Sequence, residues 1–220
     1  MNTRSPNEWG NTMSTNAENI DDYIAGLEGK LDKNDQCATS HYNLGVAYLS
    51  KRRFDDAKTS FLRAAERSPA MAEAYVQLGG LAMNDGDIEG CLRMNQAAVK
   101  ARARFSVPHA NIGFCLLQMG QVEDAIKALR QAVKLDSKFV QAYGTLGSAL
   151  YMAGELEESM EMSKKAVELH PKFGPAWNNL ALVYLEKGDA AQAMNCVKQA
   201  QESNYDVHPG LIAEIEAKLK

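Results

Sequence analysis

The stretch Y-N-L-G-V-A-Y, from Tyr42 to Tyr48, decides how this chain folds, because related stretches follow it at a fixed interval. Each copy begins 34 residues after the one before it. The later copies are V-Q-L-G-G-L-A (76–82), A-N-I-G-F-C-L (110–116), G-T-L-G-S-A-L (144–150) and N-N-L-A-L-V-Y (178–184). A constant period of this length is typical of stacked helix pairs. The sequence therefore predicts an all-α solenoid of tandem antiparallel helix pairs.

Five repeats follow from this period, and each is expected to hold a helix A, a short turn and a helix B. They span 38–71, 72–105, 106–139, 140–173 and 174–207. Position 8 of the repeat is glycine in the first four copies and alanine in the fifth, and position 27 is always alanine. Larger groups at these positions would overpack the crossing of the two helices. The pattern therefore indicates close contact between helices A and B.

The turn between the two helices predicts one irregular repeat. Position 15 is glycine in repeats two to five, whereas the first repeat has Arg52. Glycine suits the left-handed conformation that ends many helices. The turn at Arg52 is therefore expected to be strained or differently built.

The segments outside the repeats are predicted to cover the ends of the stack. Residues 208–220 are apolar on one side and charged on the other, as a C-terminal capping helix requires. Residues 17–37 predict an N-terminal capping helix, because their apolar residues fall on the core positions of a helix B; a mobile or dimer-forming arm is the alternative. Residues 1–16 are polar and predict a disordered lead. A further alternative is that this lead lies in the groove that a curved stack of helix pairs forms on its concave side.

Composition excludes several classes of function. The chain has 24 basic and 28 acidic residues, without the basic excess typical of a nucleic-acid binder. No apolar run is long enough for membrane insertion, and the N-terminus lacks the apolar core of a signal peptide. The four cysteines are far apart in sequence, which argues against a zinc site or a disulfide framework. We expect a cytoplasmic protein without metal or cofactor.

Catalysis is not expected from the distribution of reactive residues. His41 and His109 both fall at position 4, a packing site, two repeats apart. Neighbouring helices lie about 8–10 Å apart, so this separation is too large for a metal site or a proton relay. No nucleophile, base and acid converge elsewhere in the pattern.

The repeats resemble the tetratricopeptide repeat (TPR) family. The first repeat matches the family pattern at Leu44, Gly45, Tyr48, Ala57, Phe61, Ala64 and Pro69, and the fifth at Trp177, Leu180, Tyr184, Ala193 and Ala200. Asn95 and Ser163 depart from it, since the family has an aromatic residue at position 24. The resemblance implies a right-handed superhelix whose helices A line a concave groove. It also implies a non-catalytic adaptor or scaffold.

Three positions of helix A supply the candidate peptide-binding residues. Position 6 is polar in every repeat, with Asn43, Gln77, Asn111, Thr145 and Asn179. An amide can pair with both the N–H and the C=O of a peptide backbone, so such a row could hold an extended chain. Positions 9 and 12 add apolar candidates, namely Val46, Leu49, Met83, Phe114, Leu117, Tyr151 and Leu185. The alternative is that the amides tie neighbouring helices together and the apolar residues pack between repeats.

A carboxylate clamp of the kind found in one subgroup of the family is not expected. Its lysine and arginine positions hold Tyr42, Val107 and Asn111 here, so the cations are absent. The predicted function is therefore an adaptor or scaffold that binds a partner peptide or helix in the groove, with neither nucleic acid nor membrane as a partner. The alternative is a structural or assembly subunit of a larger complex, or a self-associating scaffold such as a homo-oligomer, that uses the convex face or the ends.

Overall fold

The computed structural model describes residues 17–219, and within this range the chain forms twelve α-helices and no strand. The predicted all-α solenoid is confirmed. Helix α1 is Ala17–Lys33 and helix α12 is Pro209–Lys218. The five pairs between them are α2 (Ala38–Ser50) with α3 (Phe54–Arg67), α4 (Ala72–Asn84) with α5 (Ile88–Ala101), α6 (Ser106–Gln118) with α7 (Val122–Leu135), α8 (Val140–Met152) with α9 (Leu156–Leu169), and α10 (Gly174–Glu186) with α11 (Ala190–Glu202). The predicted N-terminal lead, residues 1–16, lies outside the described residues.

Small residues at fixed positions let the two helices of each pair cross closely. In the first pair the ring of Phe61 lies directly over Gly45, and a Cβ atom added there would come within 2.7 Å of the ring. In the third pair Leu129 takes the place of the phenylalanine and lies over Gly113. The alanines at position 27 are all fully buried in the same crossings. The helix pairs therefore depend on missing side chains as much as on large ones.

The first turn has the same conformation as the other four, although it lacks their glycine. Arg52 has a φ of 58°, and the glycines at the equivalent position have φ values between 73° and 79°. A residue with a Cβ atom pays roughly 1–2 kcal/mol for this left-handed conformation. Of the two outcomes expected for Arg52, the turn is strained and is not differently built.

A helix packs on each end of the stack, α1 on the first helix pair and α12 on the last. Ile24 and Leu27 of α1 are buried against the first helix pair, and the Tyr48 hydroxyl donates a hydrogen bond to the Glu28 carboxylate. At the other end, Leu211 and Ile215 of α12 complete an apolar cluster that includes residues of α10 and α11. The capping role of these two helices stays a prediction, and the buried residues named here are the contacts that support it.

The helices A form the inner side of the curve. Helix α8 packs on both α6 and α10, which are the helices A of the neighbouring repeats. No two helices B of successive repeats pack on one another as closely. Layers that approach more closely lie on the inside of a curved stack, so α6, α8 and α10 line its concave side. We infer the same side for α2 and α4, which hold the same place in their repeats.

Candidate functional site

Helix geometry places six positions of each helix A on one side, which we call the inner face. With about 100° of rotation per residue, positions 2, 5, 6, 9, 12 and 13 share one half of the helix surface. Two contacts between neighbouring helices A agree with this placement. Asn179 donates to the carbonyl of Gly144 at 2.8 Å, joining positions 6 and 5, and the Tyr151 hydroxyl meets the Glu186 carboxylate at 3.3 Å, joining positions 12 and 13.

The inner face is almost without charge, although 24% of the chain consists of charged residues. Its only charged members are Glu73 and Glu186. Glu73 forms an ion pair with Arg102, and Glu186 accepts the hydrogen bond from Tyr151. A ligand on this surface would therefore meet mainly amides, hydroxyls and apolar groups, and the exposed Glu186 carboxylate is a charge with no ion-pair partner among the described residues.

The largest exposed apolar groups of the inner face belong to the third and fourth repeats. Phe114 on α6 is 41% exposed and Met152 at the end of α8 is 55% exposed. Half-buried Leu117 and Tyr151 lie on the same faces of these two helices. Sequence reasoning identified Phe114, Leu117 and Tyr151 but missed Met152 as an inner-face residue. The spacing of four residues from position 9 to position 13 was the signal that could have found it.

Two of the position-6 amides have free hydrogen-bonding groups. Asn43 and Gln77 are half-buried, and neither side chain forms a hydrogen bond with another described residue. Each can offer two N–H donors and one acceptor to a ligand. These two residues therefore have the properties that backbone recognition of a peptide requires.

The other three position-6 side chains already hold helices of the protein. Asn111 donates to the Asn95 side chain at 2.9 Å, which ties α6 to α5. Asn179 is 7% exposed and uses its amide to reach α8, and the Thr145 hydroxyl returns to the carbonyl of Gln141 in its own helix. The alternative role, tying helices together, is therefore present at Asn111 and Asn179. Peptide contact at these positions stays a prediction.

The apolar positions 9 and 12 differ along the stack. Val46, Leu49 and Met83 are half-buried in the first two repeats. Leu185 is 4% exposed, because it belongs to the cluster that α12 completes, and it therefore offers the least surface to a ligand.

The phenol of Tyr151 stays an uncharged donor over the physiological pH range. Burial is the first cause that raises its pKa, and the nearby Glu186 carboxylate is the second.

Two crevices of about 340 and 330 Å³ lie between helices rather than on the inner face. Trp177 and Tyr184 line the first, and His41 and Tyr48 line the second. These residues occupy repeat positions 4 and 11 in the fifth and first repeats, on the side of helix A that faces helix B. Neither of these two crevices is lined by an inner-face residue.

No three histidine, cysteine or acidic side chains in residues 17–219 are grouped so that they could hold a metal ion. None of the helices in the same range combines the length and apolar character needed to cross a bilayer.

Solved structures similar to this one share its fold at low sequence identity. YrrB, described as a TPR protein with an unusual peptide-binding site, is 20% identical with a TM-score of 0.70, over 88% of this chain and 98% of that chain. MamA from Desulfovibrio magneticus RS-1 is 23% identical with a TM-score of 0.66, over 76% and 94%. A chain of the APC/C hetero-tetramer Cut9-Hcn1 is 15% identical with a TM-score of 0.74, over 92% of this chain but 40% of that one. Comparison with curated proteins gives no match.

Family comparisons cover most of the repeat region. A model described as "TPR repeat" matches residues 115–154. Models described as "Tetratricopeptide repeat" match residues 31–69 and 42–103, 140–170, and 163–195. Together with the five helix pairs and the solved structures, these matches show that the chain belongs to the tetratricopeptide repeat family.

Proposed function

We propose that this protein is a non-catalytic adaptor whose inner face binds an extended segment of a partner protein. Proteins with this repeat generally serve as interaction modules. The observation that carries the proposal is an inner face with only two charged residues, Glu73 and Glu186, that combines free amides with exposed apolar side chains. A surface of this composition on an otherwise charged protein is typical of a binding site.

The two halves of the inner face supply different chemistry. Asn43 and Gln77, in the first two repeats, pair with the backbone of the partner segment. Phe114 and Met152, in the third and fourth repeats, contact its apolar side chains, and methionine adapts to different shapes. Val46, Leu49, Met83, Leu117 and Tyr151 extend the apolar surface between them, and Asn111, Thr145, Asn179 and Leu185 contribute mainly to the shape of the groove. The peptide-binding site of YrrB supports this use of the fold, since the two structures are similar over most of this chain.

A displayed library of random peptides, selected on the immobilised full chain, tests the proposal without a known partner. The selected peptides are expected to be uncharged at their centre and to carry apolar residues. Their affinity should fall by about tenfold in a Phe114→Ala variant, since one buried aromatic contact is typically worth more than 1 kcal/mol. Phe54→Ala is the matched control, because Phe54 is 40% exposed but lies on a helix B. Equal losses in the two variants, or none in either, would contradict binding at the inner face.

The amides are tested separately by replacing Asn43 and Gln77 together with alanine. Each lost hydrogen bond is worth about 1 kcal/mol, so affinity should fall by about tenfold or more. Replacing Asn111 and Asn179 is less informative, because their amides hold neighbouring helices and the change would also affect stability. Unchanged affinity in the Asn43→Ala, Gln77→Ala double variant would remove the amides from the proposal.

The second candidate is an assembly subunit or self-associating scaffold that uses the outer face or the ends. Its support is the exposed apolar pair Phe54 and Leu62 on α3, together with exposed Tyr23 on α1. The similarity to a chain of the Cut9-Hcn1 hetero-tetramer is in line with such a role.

Light scattering over a range of concentrations separates the two candidates. A monomer at every concentration would contradict self-association. A stable oligomer that dissociates in the Leu62→Glu variant would favour it. A cytoplasmic location for either role stays a prediction.

A further inference from the structure

Two thiols meet inside the junction between the second and third repeats. Cys91 on α5 and Cys115 on α6 have their Sγ atoms 3.1 Å apart, and both residues are buried. Both are free cysteines. A disulfide bond is about 2.0 Å long, so the two sulfurs would need to approach by only about 1 Å.

The repeat itself shows that packing does not require sulfur here. Cys91 occupies position 20, and Cys115 occupies position 10 of the following repeat. At the junction between the third and fourth repeats, Ala125 and Ala149 hold the same two positions and are fully buried. Alanine is therefore sufficient for this helix contact. Two cysteines at one junction add chemistry that the fold does not need.

Hydrogen bonds link the two thiols to the inner face. The fully buried Asn95 donates to the Cys91 carbonyl at 2.9 Å and lies 3.4 Å from the Cys91 sulfur. The carbonyl oxygen of the same amide accepts the hydrogen bond from Asn111, an inner-face residue. The Cys115 thiol donates to the Cys91 sulfur, which lowers the pKa of Cys91 and raises that of Cys115. We assign the first attack to Cys91, because its sulfur faces two donors, the Cys115 thiol and the Asn95 amide.

We propose that Cys91 and Cys115 form a redox modification site, a dithiol that oxidises to a disulfide and joins the second repeat to the third beneath Asn111. The oxidant is a small disulfide such as oxidised glutathione. The link to Asn111 matters only if the inner face binds a partner, so that part rests on the proposed function. Formation of the disulfide does not depend on it.

The reaction proceeds by two thiol–disulfide exchanges. The Cys91 thiolate attacks one sulfur of oxidised glutathione, forms a mixed disulfide and releases one glutathione thiolate. The Cys115 thiolate then attacks the Cys91 sulfur, the protein disulfide forms, and the second glutathione leaves as a thiolate. The two protons of the protein thiols end on the two released glutathiones, which have taken up the two electrons that the protein lost. Because both cysteines are buried, the first exchange occurs when α5 and α6 open locally.

The test uses the full chain with Cys37→Ser, which removes the exposed thiol. The protein is equilibrated in glutathione buffers from reducing to oxidising, then denatured, alkylated and mapped by mass spectrometry. We expect Cys91 and Cys115 to become protected together as one disulfide, without a glutathione adduct. Cys196 is also buried but has no thiol neighbour, and it should remain alkylated. The site would be overturned if both Cys91 and Cys115 were alkylated at every glutathione ratio, from reducing to oxidising. It would also be overturned if a mixed disulfide with glutathione formed and no disulfide between the two cysteines followed.

The variant Cys115→Ala is the matched control, because it installs the alanine found at the equivalent third–fourth junction. Oxidation should raise the Tm of the Cys37→Ser protein by about 5–10 °C, since a cross-link over a loop of this length restricts the unfolded chain. It should leave the Tm of the Cys37→Ser, Cys115→Ala protein unchanged. An equal rise in both proteins would overturn the disulfide as its cause.

The side-chain amide signals of Asn111 and Asn43 in NMR spectra test the link to the inner face. Oxidation should shift the Asn111 signal and leave that of Asn43, the equivalent residue of the first repeat, in place. An unshifted Asn111 signal in the oxidised protein would overturn the link. Loss of peptide binding in the Phe114→Ala variant concerns only the proposed function, so failure of one proposal is distinguishable from failure of the other.

Discussion

The first and fourth repeats share one backbone arrangement but fill its centre with very different side chains. At position 24 the first repeat has Phe61, whose ring lies over Gly45, whereas the fourth has Ser163 facing Gly147. Ser163 is fully buried, and its hydroxyl has no hydrogen-bond partner among the described residues. The difference shows that the small residue at position 8 fixes the crossing of the helices. We expect the side chain at position 24 to set how stable each crossing is.

The two repeats also differ in their turns, and here the fourth repeat has the residue that is better suited to the conformation. The first repeat places Arg52 in the left-handed conformation, and the fourth uses Gly154 with a φ of 78°. The first repeat thus has the better core and the worse turn. Because helix B of each repeat packs on helix A of the next, we expect a neighbouring repeat to limit the effect of a local defect.

The largest difference between the two repeats is expected from Phe61→Ala. Removal of this fully buried phenylalanine should cost about 3–5 kcal/mol of stability, because it leaves a cavity over Gly45. It also removes the contact with the Tyr42 ring, whose centroid lies 5.6 Å from that of Phe61. Hydrogen exchange measured helix by helix is the appropriate readout, since a stack of repeats need not unfold in one step. Faster exchange confined to α1–α4 is the expected pattern. A cost below about 1 kcal/mol would mean that neighbouring repeats, rather than position 24, hold the crossing together.

The turns should respond in opposite directions to exchange of their residues. Arg52→Gly is expected to stabilise the protein by about 1 kcal/mol, because glycine adopts the left-handed conformation without the steric cost of a Cβ atom. Gly154→Ala is the matched change in the fourth repeat and should destabilise by about 1–2 kcal/mol. Urea denaturation of the two variants beside the wild type measures both values. Destabilisation by Arg52→Gly would show that the arginine makes a contribution that outweighs its strain.

The two buried serines of the fourth repeat provide a finer comparison. Ser159 donates a hydrogen bond to the carbonyl of Gly147 at 2.7 Å, and Ser163, four residues later, donates none to the described residues. Ser163→Ala should therefore stabilise the protein by about 1 kcal/mol, since an unsatisfied hydroxyl is removed, and Ser159→Ala should cost about as much. Thermal unfolding of both variants gives the sign. A loss of stability in Ser163→Ala would indicate that a water molecule satisfies the hydroxyl.

The fold could be predicted from the sequence because its cause is local and periodic. The small residues of the crossing, such as Gly45 and Ala64, recur in the sequence itself, and the helices A begin at the predicted interval. The site could be predicted only in part. Asn43 and Asn111 share one repeat position, yet only Asn111 has a polar neighbour, Asn95, at position 24 of the preceding repeat. Asn95 is sixteen residues away from Asn111 and lies in another helix. The periodic pattern of the sequence does not say which side chains of neighbouring repeats come into contact.

The smallest expected difference concerns the N-terminal end, where the first repeat has a hydroxyl that the fourth lacks. Burial, together with the Glu28 carboxylate, raises the pKa of Tyr48 from 10.0 to about 12, and Leu150 holds the same position in the fourth repeat. A tyrosine whose pKa is raised by folding contributes stability that is fully present below pH 10 and is lost as the pH rises through 12.

Tyr48→Phe should cost about 0.5–1 kcal/mol at pH 7, because the hydrogen bond to Glu28 is lost. Its deficit relative to the wild type should shrink above pH 10 and reverse by about pH 11, since each pKa unit is worth about 1.4 kcal/mol and only the wild type must bury a phenolate beside a carboxylate. Urea midpoints of both proteins at pH 7, 9 and 11 measure this trend, and a deficit that is constant with pH would show that Tyr48 stabilises the contact with α1 by packing alone.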